Sequence, residues 1–502
     1  MFNLDYLIKN KRKIVLLFGI IFLFESLSFF SYYYPFFNLA VFIILIISCL
    51  ITSIYDLKLG LYMILMELFF DSMGYIFFSE YGGIKISIRI ALWLIVMSIW
   101  LAKFLISLFK EKKGLIKKYA SIPFFQSFCF LAFFIIIALF SGIMKNGFSD
   151  AFFDFNAWMY FALIFPLWHV ISFNSDKENN LWWTDVVNIF LAGVVFLIFK
   201  SLFVLFLFSH NVPVIYDLYS WTRSYSLGEI TDMSNGLYRI FFQSQIFIVL
   251  AWIFFSVQFM RATSKKSKIY LFVFLSFLSS VLILSFSRSF WVGGILTLAL
   301  VLLLLLIKFG FKKIIKYFSF ILLSLIAGFL IMFITVKFPW PNSEAQFGLA
   351  SLSNRANISN GESAVSSRWA LLREMKGDLI NNFFLGRGFG ARLEYKSSDP
   401  RVLERTADGL YSTYAFEWGW FDIWLKLGLL GVLSYIILLF VVLKKVWFDF
   451  WKDKNMISLG LGAGLVVLII VNFFTPYLNH PLGIGFIILS ILFLKDELCL
   501  KY

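Results

Sequence analysis

Cysteine and histidine are scarce, three of each in 502 residues. Cys49 and Cys129 fall inside apolar runs and Cys499 stands near the C-terminus, so no pair is placed for a disulfide or a thiolate metal site. His169, His210 and His480 lack metal-ligand spacing and have no carboxylate cluster around them, so neither a metal nor another cofactor is expected. Charge is scarce too. Only 15% of residues are Asp, Glu, Lys or Arg, where a soluble domain carries about 25%. With 61% hydrophobic residues and a mean hydropathy of +0.87, this excludes a soluble globular chain. No small-residue cleavage site follows the first apolar run and further runs come after it, so it is expected to be a membrane helix and not a removed signal. The KDEL at Lys495–Leu498 is not terminal, hence not a retention address.

What is abundant is the long apolar run. In lipid the backbone must satisfy its own hydrogen bonds, so such runs mean helices. The fold class expected is all-α: a polytopic helical membrane protein of about 14 transmembrane helices with one long, partly helical outer loop. The spans fall at about 14–32, 37–54, 60–78, 86–107, 122–143, 157–172, 185–208, 240–259, 269–286, 290–307, 317–336, 421–443, 457–474 and 483–494. The net charge of +15 could suggest nucleic acid, but the lysines cluster between alternate spans. Lys9–Lys13, Lys110–Lys118, Arg261–Lys268, Lys308–Lys316 and Lys444–Lys445 alternate consistently with fourteen spans and both termini in the cytoplasm. Membrane lipids are therefore partners and nucleic acid is not. The chain divides into residues 1–337 with spans one to eleven, an outer loop over 338–420, and residues 421–502 with the last three spans and a tail.

The outer side carries the residues with chemistry to offer. Arg288 sits at the tip of a tight hairpin, SFSRSFW, where a guanidinium either snorkels to headgroups or grips phosphate oxygens with paired donors. Arg239 begins span eight, and Arg89 and Lys200 lie outward in their spans; ionisable groups within spans are costly and usually functional. The long loop is arginine-rich. Arg368 opens a helical pattern, Trp369, Leu372, Met375 and Leu379, whose first backbone N–H groups favour an anion. LGRGFG follows at Leu385–Gly390; it reads as a helix cap and turn, since no strand precedes it as a dinucleotide site would need. Glu417 lies among Tyr414, Phe416, Trp418 and Trp420, a setting that would suit it as a proton acceptor, unless it pairs with an arginine. Asp408 and His480 are auxiliary candidates on the same side.

Three pieces, SFSRSFW, SSRWALLREMKGDLINNFFLGRGFG and EWGWFDIWLKLGLLG, together resemble the O-antigen ligase and O-antigen polymerase superfamily of bacterial membrane proteins. The resemblance implies an inverting, metal-independent membrane glycosyltransferase in the cytoplasmic membrane. Its donor would be an undecaprenyl-diphosphate-linked glycan, its acceptor a glycan or lipid, and a chain-length regulator a further partner. Arg239, Arg288 and Arg368 would hold the diphosphate. Glu417 would stand as base where the ligases carry the histidine of a His-Asn pair, and Trp418 where they carry the asparagine. That departure favours a polymerase of surface polysaccharide repeats over a ligase acting on lipid A core. A flippase of lipid-linked glycans is the alternative of another class, and it would call for internal repeats that the two halves do not display.

Overall fold

The structure is a computed structural model that describes residues 4–82, 84–110, 112–173, 175–233, 236–341, 363–397, 400–403, 406 and 408–496. It is 78% helical, so the all-α polytopic membrane class stands and the strands are local features. Among the described residues ten helices are long and apolar enough to cross a membrane, or eleven if the bent pair Phe148–Phe155 and Trp158–Phe173 is one span. Each of the fourteen expected segments contains a helix, but the thirteenth and fourteenth are 16-residue helices, Met456–Val471 and Pro481–Asp496, shorter than a full span. The third is only Leu57–Phe70.

Local chemistry sets these boundaries. Pro35 at the first turn of Pro35–Tyr55 cannot continue the preceding helix, Leu4–Tyr33, and starts a new one. The Asp56 carboxylate caps the third helix by accepting from Lys58 N at 3.0 Å. That helix was expected to run to residue 78 but stops at Phe70. Asp71 turns the chain instead, its carboxylate accepting from Ser72 N at 2.7 Å and Ile76 N at 3.3 Å. The expected outer loop after it is an antiparallel hairpin, Phe78–Tyr81 against Ile84–Ser87. Ser175 and Glu178 form a capping box at the start of the 34-residue helix Asp176–Ser209.

The chain groups into two compact units. The first comprises Met1–Tyr119, Leu163–Leu352 and Phe450–Gly464. The second comprises Ala120–Ala162, Ser353–Asp449 and Leu465–Tyr502. The division into spans and outer loop expected from topology therefore cuts across both units. In the first unit the second outer interval is ordered as a helix, Ile215–Ser224, and a hairpin, Gly228–Asp232 with Tyr238–Phe242. Arg239 thus lies in a strand opposite Thr231, not at the start of span eight, whose helix begins at Ile246.

In the second unit the outer loop is anchored on a break in a membrane helix. Gly419–Asp453 is helical except at Gly428, whose φ of 72° and ψ of 178° interrupt it. An interrupted helix leaves carbonyls and N–H groups without partners, which lipid cannot supply. The segment Phe383–Gly388 supplies them. Arg387 N and Gly388 N donate to Leu425 O and Lys426 O at 2.7 and 3.1 Å, while Leu429 N and Leu430 N donate to Phe383 O and Phe384 O at 2.8 and 3.3 Å. LGRGFG is more than the expected helix cap: it clasps the broken helix through main-chain atoms. On its other flank Phe389 N donates to Ala138 O at 3.1 Å and Asn146 Nδ2 donates to Phe389 O at 2.8 Å. The arginine-bearing helix Ser363–Asn381 leads into this clasp and buries Leu371, Met375 and Leu379 against Leu393, Phe416 and Leu425. The buried stripe is therefore Leu371–Met375–Leu379, and Trp369 lies off it.

The clasp demands glycine at its crossing point. A Cβ on Gly428 would stand 2.1 Å from Phe384 O, on top of a positive φ. Gly428→Ala is expected to lower the melting temperature of the purified protein by several degrees, since such strain costs on the order of 1–3 kcal/mol before any clash. Gly294→Ala, where a Cβ meets nothing within 4 Å in a regular helix, should leave it unchanged or slightly raised.

Candidate functional site

In the first unit, three consecutive residues, Ser285, Phe286 and Ser287, turn the chain between the helices Lys265–Leu284 and Arg288–Phe309. Phe286 is fully buried with a φ of 46°, a conformation costly for a bulky residue and held by its packing. Arg288 follows as the first helical residue, half-buried. The hairpin brings Arg239 to this turn: its Nε donates to Ser285 O at 3.1 Å, and its guanidinium lies 4.7 Å from the Phe241 ring centroid. Phe241 in turn packs on Phe290 with centroids 5.6 Å apart. Arg239 also donates to Glu229 Oε2 at 3.1 Å, and Arg223 stands 3.8 Å from the same carboxylate. Two guanidiniums thus share Glu229 beside the turn that carries Arg288. The structure brings Arg239 and the Arg288 turn together, and it adds Arg223.

In the second unit Arg368 and Glu417 are an ion pair, Nε donating to Oε2. The side chains are 40% and 55% exposed. The expected aromatic burial of Glu417 is not found. Phe416 is buried and Trp418 half-buried, but the carboxylate points out of that packing toward Arg368. Trp418 fixes the arrangement from below, donating from Nε1 to Arg368 O at 3.0 Å. Trp369 stands next to it, its ring 5.7 Å from that of Trp418.

Beneath the clasp of the second unit lies a buried charge triad that the sequence reading missed. Lys426 Nζ is 2.6 Å from Asp154 Oδ1 and 2.6 Å from Asp422 Oδ1, with all three side chains at most 7% exposed. Gly390 N donates to Asp154 Oδ2 at 2.8 Å, and Asn479 donates to Asp422. The ammonium ties the broken helix to the helix Phe148–Phe155, and the Gly390 bond ties the clasp to the same carboxylate. Nearby, Arg392 forms a two-bond pair with Asp150, at 2.5 and 2.8 Å, which holds its guanidinium above the usual range. Burial, then the charges of Asp154 and Asp150, pushes the Tyr414 hydroxyl up, and the Arg392 guanidinium lies 5.3 Å from the Tyr414 ring centroid.

The auxiliary candidates have structural partners. Arg89 is buried, its Nε bonding both Glu67 oxygens at 2.9 and 3.0 Å and its two terminal nitrogens bonding Ser72 O and Asp71 O. Lys200 is buried against Glu25 and the Phe242 ring. Both cations are buried in ion pairs with carboxylates of other helices. Asp408 accepts from Leu410 N at 3.1 Å in a loop turn, and His480 Nδ1 accepts from Leu482 N at 3.3 Å at a helix start. A signal for the missed residues was available: Glu25, Glu67, Asp422 and Lys426 are ionisable groups inside apolar runs, and the last two are four apart.

No protein-family model matches the chain, and no curated protein matches it. The chain is a multi-pass helical membrane protein whose described residues include two partly exposed arginine-carboxylate clusters.

Removing one partner from the triad leaves uncompensated buried charge. Lys426→Met should destabilise by about 3–5 kcal/mol, read as a loss of folded protein in detergent at elevated temperature. The triple variant D154N/D422N/K426M should recover most of that loss.

Proposed function

We propose that the protein is a membrane glycosyltransferase that joins lipid-diphosphate-linked glycan repeats, a polymerase of surface polysaccharide. The observation that carries this reading is the Arg368–Glu417 pair, solvent-accessible on a folded outer element clasped to a broken membrane helix. A carboxylate in that position can accept a proton from a sugar hydroxyl, and the guanidinium orients it while the site is empty. Arg239, with Arg223 and the Arg288 turn, supports the same reading from the first unit. Guanidiniums outnumber the carboxylate they share there, which suits a diphosphate. Arg368 is better read as a partner of Glu417 than as a third diphosphate ligand, because its charge is already matched.

In the reaction the acceptor hydroxyl attacks the anomeric carbon of the donor. Its proton passes to the Glu417 carboxylate. The bond from the anomeric carbon to the diphosphate oxygen breaks, and its electron pair leaves with the diphosphate. Inversion follows from the single displacement. Transfer to a lipid A core, the ligase reaction, uses the same steps with another acceptor.

One observation favours a second reading, transport of the lipid-linked glycan. A membrane helix interrupted at Gly428 beside a buried Lys426 between two carboxylates is the kind of device transporters use. Purified protein in vesicles, supplied with labelled lipid-linked repeats, separates the three readings. A ladder of products without a second acceptor is expected. Product only after lipid A core is added means ligase, and movement across the bilayer without any glycosidic bond means transport.

Glu417→Gln should cut transfer by about 10²–10⁴-fold at normal protein level, and retained activity would place the base elsewhere. Arg288→Ala should raise the KM for the donor, with Arg288→Lys restoring only part, because an ammonium lacks the paired donors of a guanidinium. Full rescue by lysine would reduce the role of Arg288 to charge alone.

A further inference from the structure

Trp369 is the large aromatic side chain that the described part of its helix leaves most exposed, with Ile380 the other exposed large apolar residue there. The helix Ser363–Asn381 turns Leu371, Met375 and Leu379 inward, and Trp369, outside that stripe, is left 55% exposed. Leaving much of an indole in water forfeits the stabilisation that burial would give. A tryptophan can sit at a membrane interface for its own sake, but the surroundings here are ionic. Arg373, four residues on and so on the same helix face, is exposed, as is Glu374 beside it. The Arg368–Glu417 pair adjoins Trp369 along the chain and through Trp418.

The patch therefore offers three things at one place: an exposed aromatic face backed by a second ring, a guanidinium with several N–H donors, and a carboxylate acceptor. The two charges cancel. A diphosphate needs surplus positive charge, which a matched pair does not provide. A sugar ring fits better. One face of a pyranose is a row of C–H bonds that lies flat on an indole, and its hydroxyls both donate and accept, matching the guanidinium and the carboxylate. Specific sites for such ligands pair a broad apolar surface with a few placed polar groups.

We infer that Trp369, backed by Trp418 and flanked by Arg368 and Glu417, binds a sugar ring of the acceptor glycan. This assignment rests on the transfer reading above and deepens it. Stacking on Trp369 would bring the acceptor hydroxyl to Glu417, which belongs to the same unit.

The test uses the full chain in nanodiscs. The probe is the repeat-unit oligosaccharide cut from the cell's own surface polysaccharide, carrying neither lipid nor phosphate. Binding is followed by saturation-transfer NMR and by indole fluorescence. The wild type should bind it, Trp369→Ala should weaken binding at least fivefold, and Trp369→Phe should keep most of it. In transfer assays Trp369→Ala should raise the KM for the acceptor and leave the KM for the donor unchanged. Unfolding temperature, measured alongside, separates loss of the site from loss of the fold, and the phenylalanine variant serves as the folded control. The inference is overturned if the wild type does not bind the oligosaccharide or if Trp369→Ala binds it equally well. It is also overturned if brominated acyl chains quench Trp369 while the oligosaccharide does not, since the residue would then be a membrane anchor. Should the wild type bind the oligosaccharide through Trp369 yet never transfer a glycan, the transfer reading fails and the sugar site stands.

Discussion

The obligation of every buried peptide group to find a hydrogen-bond partner governs the second unit. The membrane helix Gly419–Asp453 breaks at Gly428, and the outer loop exists in its observed form because Phe383–Gly388 satisfies the groups that the break exposes. The candidate site of that unit hangs from this contact. The helix with Arg368 enters it, and Glu417 and Trp418 lie just ahead of the broken helix that leaves it. The buried ion triad fastens it underneath, since Lys426 belongs to the helix and Gly390 to the clasp while both meet Asp154. An outer loop of this length would otherwise pay a large entropy cost to hold an ion pair in one place. Pinned at main-chain level on a membrane helix, it holds the pair on a rigid base.

Buried ions do different work in the two units. Arg89 with Glu67 and Lys200 with Glu25 are embedded pairs whose donors are spent on neighbouring side chains and carbonyls. Pairs of this kind stabilise little in net terms but are costly to break, so they fix which helices meet. The arginines around Glu229 and the pair at Glu417 are more exposed than these. Burial, more than residue type, separates the embedded pairs from the candidate-site cations in this chain.

The fold class was legible from apolar run length alone, and so was the place of the long apolar helices, whereas the shorter helices Lys112–Ala120, Phe148–Phe155 and Ile215–Ser224 lie outside the expected spans. The exceptions are physical. The third helix stops early because Asp71 captures two N–H groups, a local competition that hydropathy cannot register. Arg239 sits in a strand because the interval before span eight folds as a hairpin of two five-residue strands, too short to signal themselves. At the candidate sites the side-chain environments were only partly legible: of the two settings open for Glu417, an aromatic pocket or an arginine partner, the second is found. Glu417 was expected in an aromatic pocket because four aromatic residues surround it in sequence. In the strand-like approach to a helix, however, alternate side chains point to opposite sides, and Phe416 took the inside. Arg89 and Lys200 find partners 22 and 175 residues away, and Lys426 meets Asp154 at 272 residues as well as Asp422 four residues back; only the last lies within reach of a spacing rule. Glycine in LGRGFG was seen as a turn former, whereas its main use is to let two backbones touch.

The clasp has a further consequence for how such a protein can be traced. Its recognition is written in peptide groups, which every residue but proline possesses, so most positions along it are free to drift. Only the few sites where a methyl group would strike the opposite strand are barred from change. Distant kin would then share a rhythm of bare α-carbons between the outer loop and the final spans, and little else that residue-by-residue alignment can score.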